Sequence, residues 1–250
     1  MTPPQPDRVA IRAALAALFD PADVIELRGV HRGKKRTDAG YFDGDHREEL
    51  ADAAAKLNSS GAAVYVSMNR IDPQLLGRYC NRMEAFAADT STDANVVRRR
   101  WLLIDIDPVR PKNTAATDAQ LAAAKATAKA CYRMLQAQGW PEPQRAESGN
   151  GWHLLYAIDL LNDAASRDLV KGALAGLAAR FDDHVVKVDQ GVFNAGRITK
   201  LYGTVATKGD NTPQSPWRLS RLVSTPDRGA VVTPEQLLAL HPKEIGRAHV

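Results

Sequence analysis

Trp101–Pro108, WLLIDIDP, is an apolar run that carries two aspartates, Asp105 and Asp107, near its end. On a strand alternate residues share a face, so both carboxylates point the same way. Two like charges at that spacing repel, and a divalent cation or a set of hydrogen-bond donors relieves the repulsion. The stretch is therefore read as a buried strand that delivers a metal-binding pair. An aspartate at a strand end before proline is also an ordinary turn former, so the dyad acquires meaning only from its downstream company.

Glu147–Ile158, ESGNGWHLLYAI, is a glycine-rich turn leading into an apolar strand, with His153 near its start. Gly149 and Gly151 would let backbone amides approach an anion, and the imidazole beside them can donate to a phosphate oxygen. Val185–Gly209, VVKVDQGVFNAGRITKLYGTVATKG, brings a third carboxylate, Asp189, followed by Arg197, Lys200 and Lys208. Arginine offers phosphate a planar fork and lysine a point charge. In isolation, each segment also reads as a turn and a solvated basic face.

Taken in order, the carboxylate pair, glycine-turn histidine, third carboxylate and trailing cations resemble the archaeo-eukaryotic primase superfamily, specifically the primase-polymerase domains of phages, plasmids and mobile elements. The resemblance implies an α/β (α+β) primase fold, an amino-terminal αβ module (about 1–95) packed on an RRM-like catalytic module (96–243). It implies metal ligation by Asp105, Asp107 and Asp189, with two Mg2+ or Mn2+ ions, and catalytic use of His153. Nucleotide contacts would come from Ser148, Gly149, Gly151, His153, Arg197, Lys200 and Lys208. Many relatives carry a small hydroxyl residue two positions before the histidine, where this chain has Gly151 and places its serine earlier, at Ser148. VIELRGV (Val24–Val30) and VYVSMNRIDP (Val64–Pro73) resemble the amino-terminal half of these domains. The implied activity is metal-dependent nucleotidyl transfer that makes or extends primers on single-stranded DNA, with that DNA and nucleoside triphosphates as partners.

Composition is compatible with this reading. The 250 residues are 44% hydrophobic, enough for a substantial core, and 33 basic against 29 acidic residues give a formal charge of +4. The positive charge is clustered: Arg28, Arg32, Lys34, Lys35 and Arg36, with His31, fall in one short stretch read as a template-phosphate contact. A solvated loop is the plain alternative. The two cysteines, Cys80 and Cys131, are too few and too distant for a zinc site, and Cys131 reads as a small buried hydrophobe. No apolar run approaches membrane-spanning length and MTPPQPDR lacks a secretory apolar region, so the expected location is the cytoplasm, without membrane association.

Helical spacing predicts helices from Asp7 to Phe19, from Asp45 to Gly61, over Pro73–Phe86, from Asp118 to Gln138 and over Ala164–Phe181. Thr117 and Gln120 stand as a capping box. Strands are expected at Val24–Arg28, Ala62–Met68, Ile198–Tyr202 and Trp217–Val223 as well as in the three site segments, with helices on one sheet face. The ending EIGRAHV (244–250) is what one frame of a sequencing-library adapter would encode. It is read as a non-native tail, the natural protein being expected to continue past Lys243 into a helicase or accessory domain. Two rival functions stay open: a metal-dependent nuclease using the same acids, and a non-catalytic replication module holding origin DNA.

Overall fold

The computed structural model describes residues 2–31, 33, 36–227 and 229–242. In chain order these form α1 (Arg8–Leu18), β1 (Ile25–Val30), β2 (Thr37–Phe42), α2 (Arg47–Ser59), β3 (Ala63–Ser67), β4 (Arg70–Ile71), β5 (Met83–Glu84) and β6 (Val96–Pro108). They continue with α3 (Asp118–Ala137), β7 (Gln144–Glu147), β8 (Trp152–Leu160), α4 (Ala164–Phe181), β9 (Val186–Val188), β10 (Ile198–Lys200), β11 (Val205–Ala206), β12 (Arg218–Leu219), β13 (Arg221–Ser224) and α5 (Pro234–Ala239).

The strands make two mixed-order antiparallel sheets and a short β11–β12 pair. One sheet runs β10-β3-β1-β2-β5 and the other β13-β7-β8-β6-β4, with β9 also paired to β6. The first sheet therefore takes its edge strand from the second half of the chain. The fold is mixed α/β, as expected, and the pairings made by all three site segments are antiparallel.

β6 organises the interior. Its residues Leu102, Ile104 and Ile106 are fully buried in one cluster with Ala124, Cys131 and Leu135 of α3 and Leu174 of α4. Alternation then turns Leu103, Asp105 and Asp107 to the opposite side, where all three line a cleft. The same cluster holds Ile11 and Leu15 of α1, Leu50 of α2 and Val64 and Val66 of β3, so one apolar core underlies both sheets. Polar stitches close the seam: the Asn69 carboxamide oxygen accepts from the Arg100 and Trp101 N–H groups, while its nitrogen donates to the Ala195 carbonyl.

Local signals set several boundaries. Asp7 caps α1 by accepting from the Ala10 N–H, and Thr117 with Gln120 forms the capping box of α3. The long helix expected over Pro73–Phe86 is corrected to one 3-10 turn, Pro73–Gly77, followed by β5. Asp72 caps that turn, and Asn81 and Phe86 adopt left-handed backbone (φ 51° and 54°), which no continuous helix admits. β2 and β11 were not anticipated, nor was α5. The strand expected at Trp217–Val223 is two short strands, and Lys243–Val250 lie outside the described residues.

Asp38 of β2 is a buried carboxylate with several donors around it. It accepts a two-pronged bond from Arg36 (2.7 and 2.8 Å), one from the Phe86 N–H (3.0 Å) and one from His31 (2.8 Å). Burial alone would raise its pKa, yet the Arg36, Phe86 and His31 bonds outweigh it and hold the carboxyl down at about 2. A depressed carboxyl stabilises the fold above its unfolded pKa and loses that contribution as pH falls through its folded value. Asp38→Asn is expected to cost on the order of 2 kcal/mol at neutral pH. Urea denaturation at a series of pH values should show the variant less sensitive than wild type between about pH 4 and pH 2.

Candidate functional site

The cleft, about 420 Å³, lies between the two sheets. Leu103, Asp105, Asp107 and His153 form one wall. Tyr65, Ile198 and Lys200 form the other, and the 148–150 and 207–209 loops close its rim.

Register explains the convergence. Asp105 stands directly opposite His153 in the β6–β8 ladder, so both side chains project from the same face. The imidazole Nε2 lies 3.3 Å from Asp105 Oδ1, while Nδ1 lies 2.7 Å from the Tyr202 hydroxyl. Burial raises the Tyr202 phenol far above its ordinary pKa, so it stays protonated beside Nδ1. Nε2 is left facing Asp105 and the cleft. β9 pairs with the end of β6, and the Asp189 N–H donates to the Asp105 carbonyl at 2.8 Å, which sets Asp189 in the same lining.

The two paired acids are electrostatically unequal. Burial favours protonation of both. At Asp105 the nearby His153, Arg197 and Arg110 more than compensate and lower its pKa, whereas at Asp107 burial and the charge of Asp105 prevail and raise it. Asp105 Oδ1 is buried without a hydrogen-bond partner, its approach to His153 being too poorly aligned to count as one. Arg110, buried and held by the Pro108 and Thr114 carbonyls, lies 3.5 Å from Asp107.

Gly151 shows why this chain has no side chain there. A Cβ at that position would fall 2.3 Å from Asp107 Oδ1 and 2.5 Å from the Ile106 carbonyl. Gly149 has φ +94° and faces Ala206 and the Arg218 carbonyl with no room for a Cβ. Ser148 Oγ accepts from the Gly151 N–H at 3.0 Å and so braces the turn.

The remaining expected residues divide. Arg197 and Lys208 line the cleft, Lys208 exposed. Arg197 reaches Asp189 Oδ2 at 3.3 Å, while Oδ1 of the same carboxylate accepts from the Gly191 N–H. Asp189 thus shares the lining with the acidic pair, but its oxygens are engaged locally. Among the described residues no three His, Cys, Asp or Glu side chains are gathered as a ready-made ion cage. Lys200 is buried, its ammonium donating to the Val205 carbonyl at 2.9 Å and lying 5.7 Å from the Tyr65 ring centre. Burial draws its pKa down to about 7. Arg110, Tyr65 and Tyr202 were not foreseen. Arg110 had a local signal, a cation three residues past Asp107, whereas Tyr202 meets its partner 49 residues away.

The expected DNA-contacting cluster is largely structural where it is described. Arg28 is 14% exposed at its side chain and paired at 2.6 Å with the fully buried Glu26. It also donates to the Ser91 carbonyl and hydroxyl. Arg36 is held by Asp38, while Arg32, Lys34 and Lys35 lie outside the described residues. Cys131 is buried as expected and Cys80 is exposed. No helix is long and apolar enough to cross a membrane, among the described residues.

No family model and no curated protein matches the chain. Two solved structures are similar. Primase RepB' has a TM-score of 0.52 at 14% identity, over 93% of this chain and 61% of that one. The catalytic domain of primase RepB' in complex with initiator DNA has a TM-score of 0.49 at 13% identity, over 93% of this chain and 92% of that one. The chain therefore spans about three fifths of the first structure, and the likeness at this identity is one of fold.

The Arg28–Glu26 pair generates a direct test of role. Removing one partner of a buried ion pair strands the other charge. Arg28→Ala is expected to lower stability by about 3 kcal/mol in chemical denaturation, whereas a surface phosphate contact would leave stability unchanged.

Proposed function

We propose that this chain is the catalytic part of a primase or primase-polymerase, joining nucleotides on a single-stranded DNA template. The observation that carries the reading is the placement of Asp105, Asp107, His153 and Asp189 in one cleft with Arg197, Lys200 and Lys208. A carboxylate pair beside a bank of cations suits a triphosphate accompanied by its counter-ion. The fold shared with primase RepB' supports it.

The carboxylates are hard oxygen donors, one buried Asp105 oxygen has no hydrogen-bond partner, and the Asp105 charge already burdens Asp107. Asp105 and Asp107 fit as the residues that would hold Mg2+ or Mn2+, with Asp189 adjoining in the same lining. When bound, the cation would lower the pKa of the attacking 3'-hydroxyl and neutralise charge on the triphosphate.

The protein's own part is positioning and charge. His153, with Nδ1 engaged by Tyr202, has Nε2 free to meet a phosphate oxygen on this reading. Arg197 and Lys208 complement the negative charge that shifts to the departing pyrophosphate. Ser148 and the two glycines hold the turn that keeps the imidazole-bearing strand against Asp107. On this reading the hydroxyl loses its proton to solvent and its oxygen bonds to the α-phosphorus as the bond to pyrophosphate breaks.

A labelled primer on a template, supplied with nucleotides and Mn2+, should lengthen. Shortening instead would favour the nuclease alternative, and salt-sensitive DNA binding without any synthesis would favour the origin-binding one. Asp105→Ala and Asp107→Ala are each expected to reduce extension about a hundredfold or more while the protein stays folded by circular dichroism. A separate variant probes cation binding without removing a ligand. Gly151→Ala crowds Asp107, and calorimetric Mn2+ affinity is expected to fall by about tenfold or more.

A further inference from the structure

Tyr65 lines the cleft, yet the chemistry proposed above leaves it without a task. It belongs to β3 and is half-buried. In the ladders it stands opposite Arg28 of β1 on one side and Lys200 of β10 on the other, so the three side chains share the face of the first sheet that borders the cleft.

This packing accounts for the ring. The Lys200 ammonium lies over it, 5.7 Å from the ring centre, and an aromatic side chain flanked by cross-strand neighbours stabilises a sheet. The hydroxyl needs another account. Among the described residues none hydrogen-bonds it, whereas the hydroxyls of Tyr41 and Tyr202 are bonded to Glu26 and His153. Phenylalanine would fill the same space without drawing a polar group partly out of water.

The surroundings of that hydroxyl narrow what it can meet. Burial raises the phenol's pKa and the charges of Asp105 and Asp107 raise it further, against Arg197, so the group stays protonated within electrostatic reach of both acids. On the same sheet face the next rung to one side is Val30 with Ala63, both lining the cleft. The rung to the other side is Ser67 with Ile198, which adjoins Arg197. Tyr65 thus stands between an apolar and a charged stretch of the wall. A nucleotide is graded in the same order, from a flat base of low charge through a neutral sugar to a polyphosphate, and its sugar carries hydroxyls that both donate and accept.

We infer that the Tyr65 hydroxyl hydrogen-bonds a sugar hydroxyl of the incoming nucleotide, which makes Tyr65 a specificity-determining residue of the cleft. The inference rests on the nucleotidyl-transfer reading, in which the α-phosphate lies at Asp105 and Asp107 and the sugar follows one ester linkage away. With Lys200 over the ring, the hydroxyl is the part of Tyr65 left for a ligand. A site that bonds a substrate hydroxyl discriminates against the analogue lacking it, because the protein's own group is then left unpaired.

Tyr65→Phe keeps the ring and removes the hydroxyl. Single-nucleotide addition to a labelled primer, on a template presenting thymine and with Mn2+, tests it with adenosine triphosphate and its 2'-deoxy, 3'-deoxy and 2',3'-dideoxy forms. The variant's kcat/KM is expected to fall about three- to tenfold, the worth of one hydrogen bond, for each nucleotide that carries the contacted hydroxyl, and to stay within about twofold for those that lack it. A loss confined to the ribo and 3'-deoxy forms would assign the contact to the 2'-hydroxyl, and one confined to the ribo and 2'-deoxy forms would assign it to the 3'-hydroxyl. An equal loss with all four, the dideoxy form included, is what a disturbed cleft would give and would overturn the inference. No loss with any of them would overturn it too. In either case addition by wild type would leave the nucleotidyl-transfer reading standing. Wild type that adds none of the four would remove both.

Discussion

Asp105 and Asp107 face the same side of one strand, about 6.8 Å apart along it, and cannot both be ionised in a poorly solvated cleft without compensation. Their surroundings are arranged around that repulsion. His153 sits opposite Asp105 by strand register, Arg110 and Lys208 bear on Asp107, and Arg197 contributes from the loop after Asp189. The residual asymmetry, one acid lowered and the other raised, is what remains when cations of the protein alone meet two adjacent carboxylates.

That strand can carry its acids only because its other face is apolar and well covered. Leu102, Ile104 and Ile106 are anchored on α3 and α4, so sliding β6 by one residue would bury the aspartates in the core and expose the aliphatic side chains. The hydrophobic pattern therefore fixes which side the acids occupy. Gly151 keeps the neighbouring turn close, since any Cβ there would strike Asp107.

These local patterns were readable in advance. α4 begins and ends where its helical spacing does, the capping box of α3 is formed, and period-two alternation put Asp105 and Asp107 on one face. What could not be read depends on partners far along the chain. Arg28 looked like part of a phosphate-binding cluster because Ser91, 63 residues away, gives no hint in the linear string that it will share Arg28 with Glu26. The Pro73–Phe86 pattern had helical periodicity but was overruled by the cap at Asp72, by pairing of β5 with β2 and by two left-handed residues. The edge strand β10 was expected, but its attachment to β3 rather than to the β6 sheet is a non-local pairing with no local signature.

That attachment determines the character of the opposite wall. Lys200 pairs with Tyr65 across β10 and β3, and this register places its ammonium inside the protein beside the Tyr65 ring. The Val205 carbonyl is its hydrogen-bond acceptor, and burial alone accounts for the fall of its pKa to about 7. Near neutral pH such an amine is divided between charged and uncharged forms, unlike the exposed Lys208. On the nucleotidyl-transfer reading, an arriving polyphosphate would favour the charged form, and binding would draw in a proton at Lys200 as pH rises above 7.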